Sequence, residues 1–354
     1  MTSKERINLA LEHKEADRIA IHDAPWATTI RRWHNEGLPP DSNPAEFFDY
    51  ELVGVGADLS MRIPTETLEE TDTYIITRGA DGQIIKNWKH QTSTPEYQDF
   101  MIKSREDWEE HKHRLEWSPD RINIEAVRKT EEEARKKGKW FHFSGVFGYD
   151  RIQGMIGSER LLLAMVEDPE WVQEIFDTCG QLLCTALEEM IALGIQFDGC
   201  FVYDDMGYRN ASLFSPAMFE KFEFPNHKRF YDCAKSFGLK TILHSCGCVK
   251  GLIPGLIRAG LTCLQPLEVK AGMDLIELKK QFGEVLCFMG GIDVRKMADP
   301  NPAAIEEEIS SKISFAKQGG GYIYHSDHSV PDNVSFEQYK RVIELVHKFG
   351  RYDN

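Results

Sequence analysis

No stretch of this 354-residue chain is apolar for long enough to cross a bilayer as a helix. A span needs about 20 predominantly apolar residues, and the longest unbroken apolar run is Leu161 to Val166. Positive charge is also short: 42 Lys and Arg against 57 Asp and Glu leave a formal net charge of −15. Phosphate contacts need clustered basic side chains, so nucleic acid is excluded as a partner. The same shortage argues against an anionic membrane surface. No Gly-x-Gly-x-x-Gly follows an early strand, which removes the usual dinucleotide cradle. Low-complexity tracts and short-period repeats are missing as well. The opening stretch MTSKERINLALEHKEADR is too charged for a signal peptide, and Thr2 with Glu5 has the spacing of a helix capping box. A soluble, cytoplasmic protein is expected. The eight cysteines are scattered without a secretory context, so free thiols are expected, most of them buried as small apolar groups.

What the chain does have is a rhythm. A short apolar strand leads to a polar turn and then to an amphipathic helix. WFHFSG (140–145), DGCFVYDD (198–205), KTILHSCG (240–247), TCLQPLE (262–268), VLCFMGGID (285–293) and GGYIYHSDH (320–328) all begin such units. Arg18–His22 and Ala57–Met61 supply two earlier strands. Strands alternating with helices imply parallel βαβ units, and a count of eight favours a (β/α)8 TIM barrel, an α/β fold, over an open sheet. A single barrel domain over 1–354 is expected, in line with chains of this length. Residues 64–139 break the rhythm and predict an N-terminal elaboration: a hairpin over 73–88 turning at Asp81-Gly82, then exposed, charged helices over 105–139.

Barrel sites lie at the C-terminal ends of the strands. Those ends carry His22, Tyr149 and Asp150, Tyr203, Asp204 and Asp205, His244 and Cys246, Gln265 and Glu268, Asp293, and His325, Asp327 and His328. His244 and Cys246 are two apart, so on an extended segment they share a face. They suit a metal ion, a nucleophile with its base, or packed core. Side-by-side placement is poor geometry for a base reaching a thiol, whereas imidazole with thiolate suits zinc. His328 is the expected third ligand, with Cys248 as competitor. Glu268 is expected as a fourth ligand or an acid. Strand alternation aims only one of Asp204 and Asp205 into the site. The glycine runs at 290–291 and 319–321 suit phosphate-cradling loops or, more simply, backbone turns into and out of strands. Trp26, Trp33 and Met61 suit either an aromatic pocket or the core.

The segments ILHSCG, LQPLEVKAGMD, FMGGID, GGYIYHSDHSVPDNVSFEQY, GSERLLLAMVEDPEWV and LFSPAMFEKFEFP, in order over 140–349, resemble the uroporphyrinogen decarboxylase superfamily. The resemblance implies a (β/α)8 barrel and one of two chemistries. One is metal-free decarboxylation of the acetate arms of a tetrapyrrole. The other is methyl transfer involving a cobalamin carried by a partner protein. True decarboxylases carry an arginine-rich, RQAGR-like loop after the first strand. Here that region reads IHDAPWATTIRRWHNEGLP, with only Arg31 and Arg32 nearby. The chain is more similar to the methyltransferases, in which the His-x-Cys positions bind zinc with a later cysteine. HSDHSVP stands at that later place, putting His328, or Asp327, where the family has cysteine. This departure points away from a thiol acceptor and towards an O-methyl donor such as an aryl methyl ether.

The resulting expectation is a methyltransferase that passes a methyl group to the cobalt of a separate corrinoid protein. Zinc would sit at His244, Cys246 and His328. Asp205, Glu268 and Tyr203 would be catalytic, and His22, Tyr149, Asp204, Asp293 and His325 would bind a small methylated substrate. A homodimer is left open. The competing expectations are a decarboxylase of tetrapyrrole or other polyacid carboxylates, using Asp204 or Asp205, and a non-catalytic corrinoid- or tetrapyrrole-binding barrel.

Overall fold

The computed structural model describes residues 1–352 apart from Gln91 and Ser93. Twelve strands are present among them: β1 (Ala20–Ile21), β2 (Leu52–Val55), β3 (Glu66–Glu70), β4 (Tyr74–Arg78), β5 (Ile84–Trp88), β6 (Glu96–Asp99), β7 (Trp140–Val146), β8 (Gly199–Tyr203), β9 (Lys240–His244), β10 (Cys263–Gln265), β11 (Cys287–Met289) and β12 (Tyr322–Tyr324). Eight of them form one parallel sheet in the order β1-β12-β11-β10-β9-β8-β7-β2, with helices around it. This is the expected (β/α)8 TIM-barrel-like fold. No described helix is long and apolar enough to cross a membrane.

The sheet closes between β1 and β2, and a side chain does much of the closing. Glu51 is completely buried. Its N–H donates to Ile21 O at 2.9 Å, and its carboxylate accepts the N–H of Ile21 at 3.0 Å. Arg6 and Arg18 reach the same carboxylate at 2.6 and 2.5 Å. The first helix, Ser3–Leu11, starts with the expected capping box, Glu5 N–H to Thr2 Oγ1 and Thr2 N–H to Glu5 Oε2. Its apolar face, Ile7, Ala10 and Leu11, plugs the barrel floor against Ala20, Trp140, Ile242 and Ile323. These strand residues alternate with positions such as Ile21, Phe141, Phe143, Leu243 and Tyr322, which pack outward under the helices.

Two expectations are corrected here. The second barrel strand is Leu52–Val55, not Ala57–Met61: LVGV pairs with Trp140–Phe143, and residues 56–63 run on as irregular chain. Helix Ile124–Lys136, expected to be an exposed part of the elaboration, belongs to the barrel. Val127 and Ala134 are buried, the helix lies against β2 and β7, and Arg135 Nη1 donates to both oxygens of Asp198 at 2.9 Å. Its charges decorate only the outer face. The hairpin over 73–88 is present as β4 and β5, widened by β3 and β6 into a four-stranded antiparallel sheet. Arg151, just beyond the end of β7, clasps the hairpin turn at Asp81 and also donates to Leu59 O at 2.7 Å. The elaboration is therefore tied to the C-terminal side of the barrel.

Candidate active site

Parallel register sets three polar side chains at one level of the barrel mouth: Tyr203 lies beside His244, and His244 beside Gln265. His244 Nδ1–H donates to the amide oxygen of Gln265 at 2.5 Å. That bond selects the tautomer whose Nε2 lone pair is free. Nε2 faces Cys246 Sγ at 3.2 Å and Asp205 Oδ1 at 3.5 Å. Ligand atoms of the three residues all lie within 4.8 Å of one another. Asp205 is held there by accepting the N–H of Cys246 at 2.7 Å.

Glycine allows the two loops to meet. A Cβ on Gly207 would lie 2.3 Å from Cys246 O, and one on Gly247 (φ 75°) would lie 2.4 Å from the carbonyl carbon of Gly207. Only bare backbone fits at this crossing, and it brings the loop after β8 against the loop after β9. Glu268 stabilises the crossing by accepting Gly247 N–H at 2.7 Å, with its other oxygen 2.9 Å from Lys270 Nζ.

Nitrogen, sulfur and oxygen donors at these separations fit zinc. Bonds of about 2.0–2.3 Å set tetrahedral ligand-to-ligand edges of roughly 3.3–3.8 Å, close to the 3.2 and 3.5 Å separations at His244 Nε2. Burial, then the charges of Asp205, Glu268 and Asp150, pushes the Cys246 thiol well above its ordinary value. The acidic surroundings that oppose a free thiolate are those that attract a dication. If the Gln265 amide orients His244, Gln265→Leu should weaken zinc binding by about 10- to 100-fold, read by competition with a chelating dye. Unchanged affinity would show that the amide has no such role.

Beside this cluster a cavity of about 530 Å³ is lined by His22, Gly54, His142, Ser144 and Tyr203. The Tyr203 ring stacks on Phe201 and leans on His244, with centroids 5.0 and 5.1 Å apart. Burial pushes His142 down to about 4. Burial, then His325 and His142, lowers His22 far below the ordinary histidine value. Both rings are neutral at neutral pH, so the cavity presents no cation clamp. Arg32, near the first strand, turns to Glu36 at 2.6 Å and to Asp332 O at 2.7 Å instead.

The expected residues divide into three groups. Asp205, His244, Cys246, Tyr203 and Glu268 come together at the mouth. His22 and His325 lie deeper in the barrel, ring centroids 6.0 Å apart, and His325 meets Gln265 Nε2 at 3.3 Å. His328 is half-buried against Trp26, at 5.8 Å between ring centroids, and is not part of the three-residue donor cluster; Asp205 takes that third place. The alternative Asp327 binds two loops together, accepting Val269 N–H and Val294 N–H at 3.0 Å each, and burial pushes it up to about 6. Cys248 is buried in the core, away from the cluster.

Three expected substrate contacts point elsewhere. Asp204 is fully buried behind the barrel wall, 2.8 Å from His227 Nε2, because alternation along β8 turns it away from the mouth. Tyr149 is buried against Phe214, its hydroxyl bonded to Ser158. Asp293 caps helix Val294–Met297 and chelates Arg295; burial alone would raise it, but Arg295 outweighs that and holds it low. Trp33 and Met61 are core. Sequence reasoning missed His142, Ser144 and the role of Gln265. His142 and Ser144 share the parity of Trp140 along β7, a signal that was available. Asp150, noted only as a polar residue, is pushed up to about 6 by burial and then by neighbouring Asp205.

The comparisons with known proteins agree with this fold. The Uroporphyrinogen decarboxylase (URO-D) family profile matches residues 148–349. Curated uroporphyrinogen decarboxylases of Pectobacterium carotovorum and an Enterobacter species are 27% and 28% identical over 78 and 75 residues. Those matches span only 22% and 21% of this chain and the same shares of the relatives' length. A methyltransferase from Methanosarcina mazei shares the fold along 99% of both chains, with a TM-score of 0.69 at 15% identity. With the family profile running through more than half of its residues, the chain belongs to the uroporphyrinogen decarboxylase family.

Proposed function

We propose that this protein is a methyltransferase that moves a methyl group from a small O-methylated compound, such as an aryl methyl ether, to the cobalt of a corrinoid carried by a separate protein. The observation that carries this reading is the His244–Cys246–Asp205 donor cluster beside a cavity lined by neutral imidazoles. A polyacid substrate would need fixed positive charge there, which counts against the decarboxylase reading despite its place in the family.

Zinc held by these three side chains would act as a Lewis acid towards the ether oxygen. The chain's own residues do the rest. Tyr203, His22 and His142 form the walls that hold the substrate. His142 and His22, as neutral rings, offer hydrogen bonds without drawing in carboxylates. The methyl group would pass as a cation equivalent to the electron pair of a cobalt(I) corrinoid, and the ether oxygen would keep the pair of the broken methyl–oxygen bond. That oxygen would take its proton from Asp150, which burial and then neighbouring Asp205 push up to about 6. Glu268 is occupied by Gly247 and Lys270, so it supports the site as a carboxylate.

The test is a mixture of the protein with free cob(I)alamin and 2-methoxyphenol under reducing conditions. Conversion to methylcobalamin, followed by absorbance and by the appearance of catechol, is the expected result. Absence of methyl movement from any of a panel of aryl and alkyl methyl ethers, with carbon dioxide released from uroporphyrinogen instead, would overturn the reading.

A further inference from the structure

A second group of metal-ligating side chains lies behind the barrel wall. Asp204, at the end of β8, meets Glu223 and His227 with their ligand atoms within 4.8 Å of one another, and all three are completely buried. Phe147 and Phe219 enclose the imidazole, with ring centroids 4.7 and 5.7 Å away. Two carboxylates share this apolar chamber. Among the described residues their one basic partner within 4.0 Å is His227, at 2.8 Å from Asp204 and 3.5 Å from Glu223.

The decisive observation is Glu223. Among the described residues, neither of its carboxylate oxygens has a hydrogen-bond donor. A buried carboxylate without donors is among the costliest arrangements in a protein interior. Hydrogen bonding within the trio accounts for the Asp204–His227 contact but leaves both Glu223 oxygens unserved. A cation would serve them. Metal–ligand bonds of about 2.0–2.2 Å give tetrahedral ligand edges of roughly 3.3–3.6 Å; the His227–Glu223 edge, 3.5 Å, has that length, and the Asp204–His227 edge, 2.8 Å, is of hydrogen-bond length and would open around an ion. His227 Nδ1 is engaged by the Tyr231 hydroxyl at 2.8 Å. That contact can hold the proton on Nδ1 and leave Nε2 free, the arrangement metal-ligating histidines use.

The backbone is shaped around the group. The helical stretch Pro216–Ser236 contains a π-helical segment at Phe219–Glu223. Pro225, two residues after Glu223, has no N–H to return to Lys221 O, so the helical ladder is broken there. The wider turn carries Glu223 inward. On the opposite side Gly148 (φ 61°) leaves the chamber clear; a Cβ there would lie 2.2 Å from Asp204 Oδ2 and 2.8 Å from Glu223 Oε2.

We propose that Asp204, Glu223 and His227 bind a second, structural divalent cation, with the one-imidazole, two-carboxylate chemistry that suits zinc or manganese. The ion clamps the Phe219–Glu223 segment to the end of β8. It thereby fixes the backbone from which Asp205 reaches the mouth. This inference does not depend on the reaction proposed above.

The test uses full-length protein expressed with zinc and manganese supplied. In the double variant H244A/C246A, whose mouth cluster is removed, elemental analysis should find about one divalent ion per chain. Adding Glu223→Gln should abolish it. A folded double variant, with wild-type circular dichroism, that holds no ion would overturn the proposal. So would an ion that survives Glu223→Gln. A shared proton in place of an ion predicts that outcome differently: Glu223→Gln would be tolerated and no ion found beforehand. Native mass spectrometry of the wild type needs no variant to fold. Two bound ions are expected. A mass with no bound ion contradicts the second site, and so does a single ion that Glu223→Gln leaves in place; a single ion that Glu223→Gln removes is assigned to Asp204, Glu223 and His227.

Discussion

Cys246→Ala is expected to remove one equivalent of zinc per chain and to lower methyl transfer to cob(I)alamin by on the order of 10³-fold. A Lewis acid contributes several kcal/mol to charge stabilisation at a departing oxygen, and about 1.4 kcal/mol corresponds to tenfold in rate. Asp205 and His244 would remain, but two neutral-to-acidic donors do not hold the ion as a thiolate does. The variant should fold normally, because the Cys246 side chain is only half-buried at the mouth and the loop is pinned through its backbone by Asp205. Two measurements check this together: zinc by elemental analysis, and turnover at saturating 2-methoxyphenol. Full metal content with lost activity would make Cys246 a substrate-facing group. Loss of metal with full activity would remove zinc from the mechanism and leave proton donation by Asp150 to carry the reaction.

The second large effect concerns stability. Glu51→Ala should destabilise the protein by about 3–5 kcal/mol, the cost of leaving buried charge without its partner. The carboxylate lost is completely buried; Arg6 is buried with it and Arg18 is mostly so, while the N–H of Ile21 loses its acceptor at the seam. For a chain of this size the melting temperature should fall by roughly 4–7 °C. Glu51→Gln keeps an acceptor for Ile21 but not the charge, and should fall between. Differential scanning calorimetry reads both, and a shift below 1 °C in the alanine variant would show that β1 and β2 are held by other contacts. Zinc content should be unchanged, since the seam meets the plugging helix at the barrel floor and the donor cluster sits at the mouth.

The legible parts of this molecule were those with local periodicity. Seven of the eight barrel strands follow from short apolar runs ending in polar turns, Arg18–His22 among them, and Thr2 with Glu5 marked the first helix start. His-x-Cys on one strand end is local too, since spacing alone places both groups on one face. LVGV at 52–55 was passed over because two valines around a glycine make a weak signal until the Trp140–Phe143 partner is beside them. Charges on helix Ile124–Lys136 hid a barrel helix, because its buried stripe is as narrow as Val127 and Ala134.

By itself the sequence determined the fold class, the family and the strand that bears His244 and Cys246, because each depends on patterns a few residues long. Which of two adjacent acids enters the mouth was decided by strand twist and register: Asp205 turns in, and Asp204 turns back to Glu223 and His227. Which distant residue completes the donor set was decided by the crossing of Gly207 and Gly247, a close approach between loops some forty residues apart. His328, nearer in the family pattern, was left against Trp26. Such choices depend on chain-to-chain distances of a few ångströms, and these are set by packing of the whole barrel rather than by any segment of it.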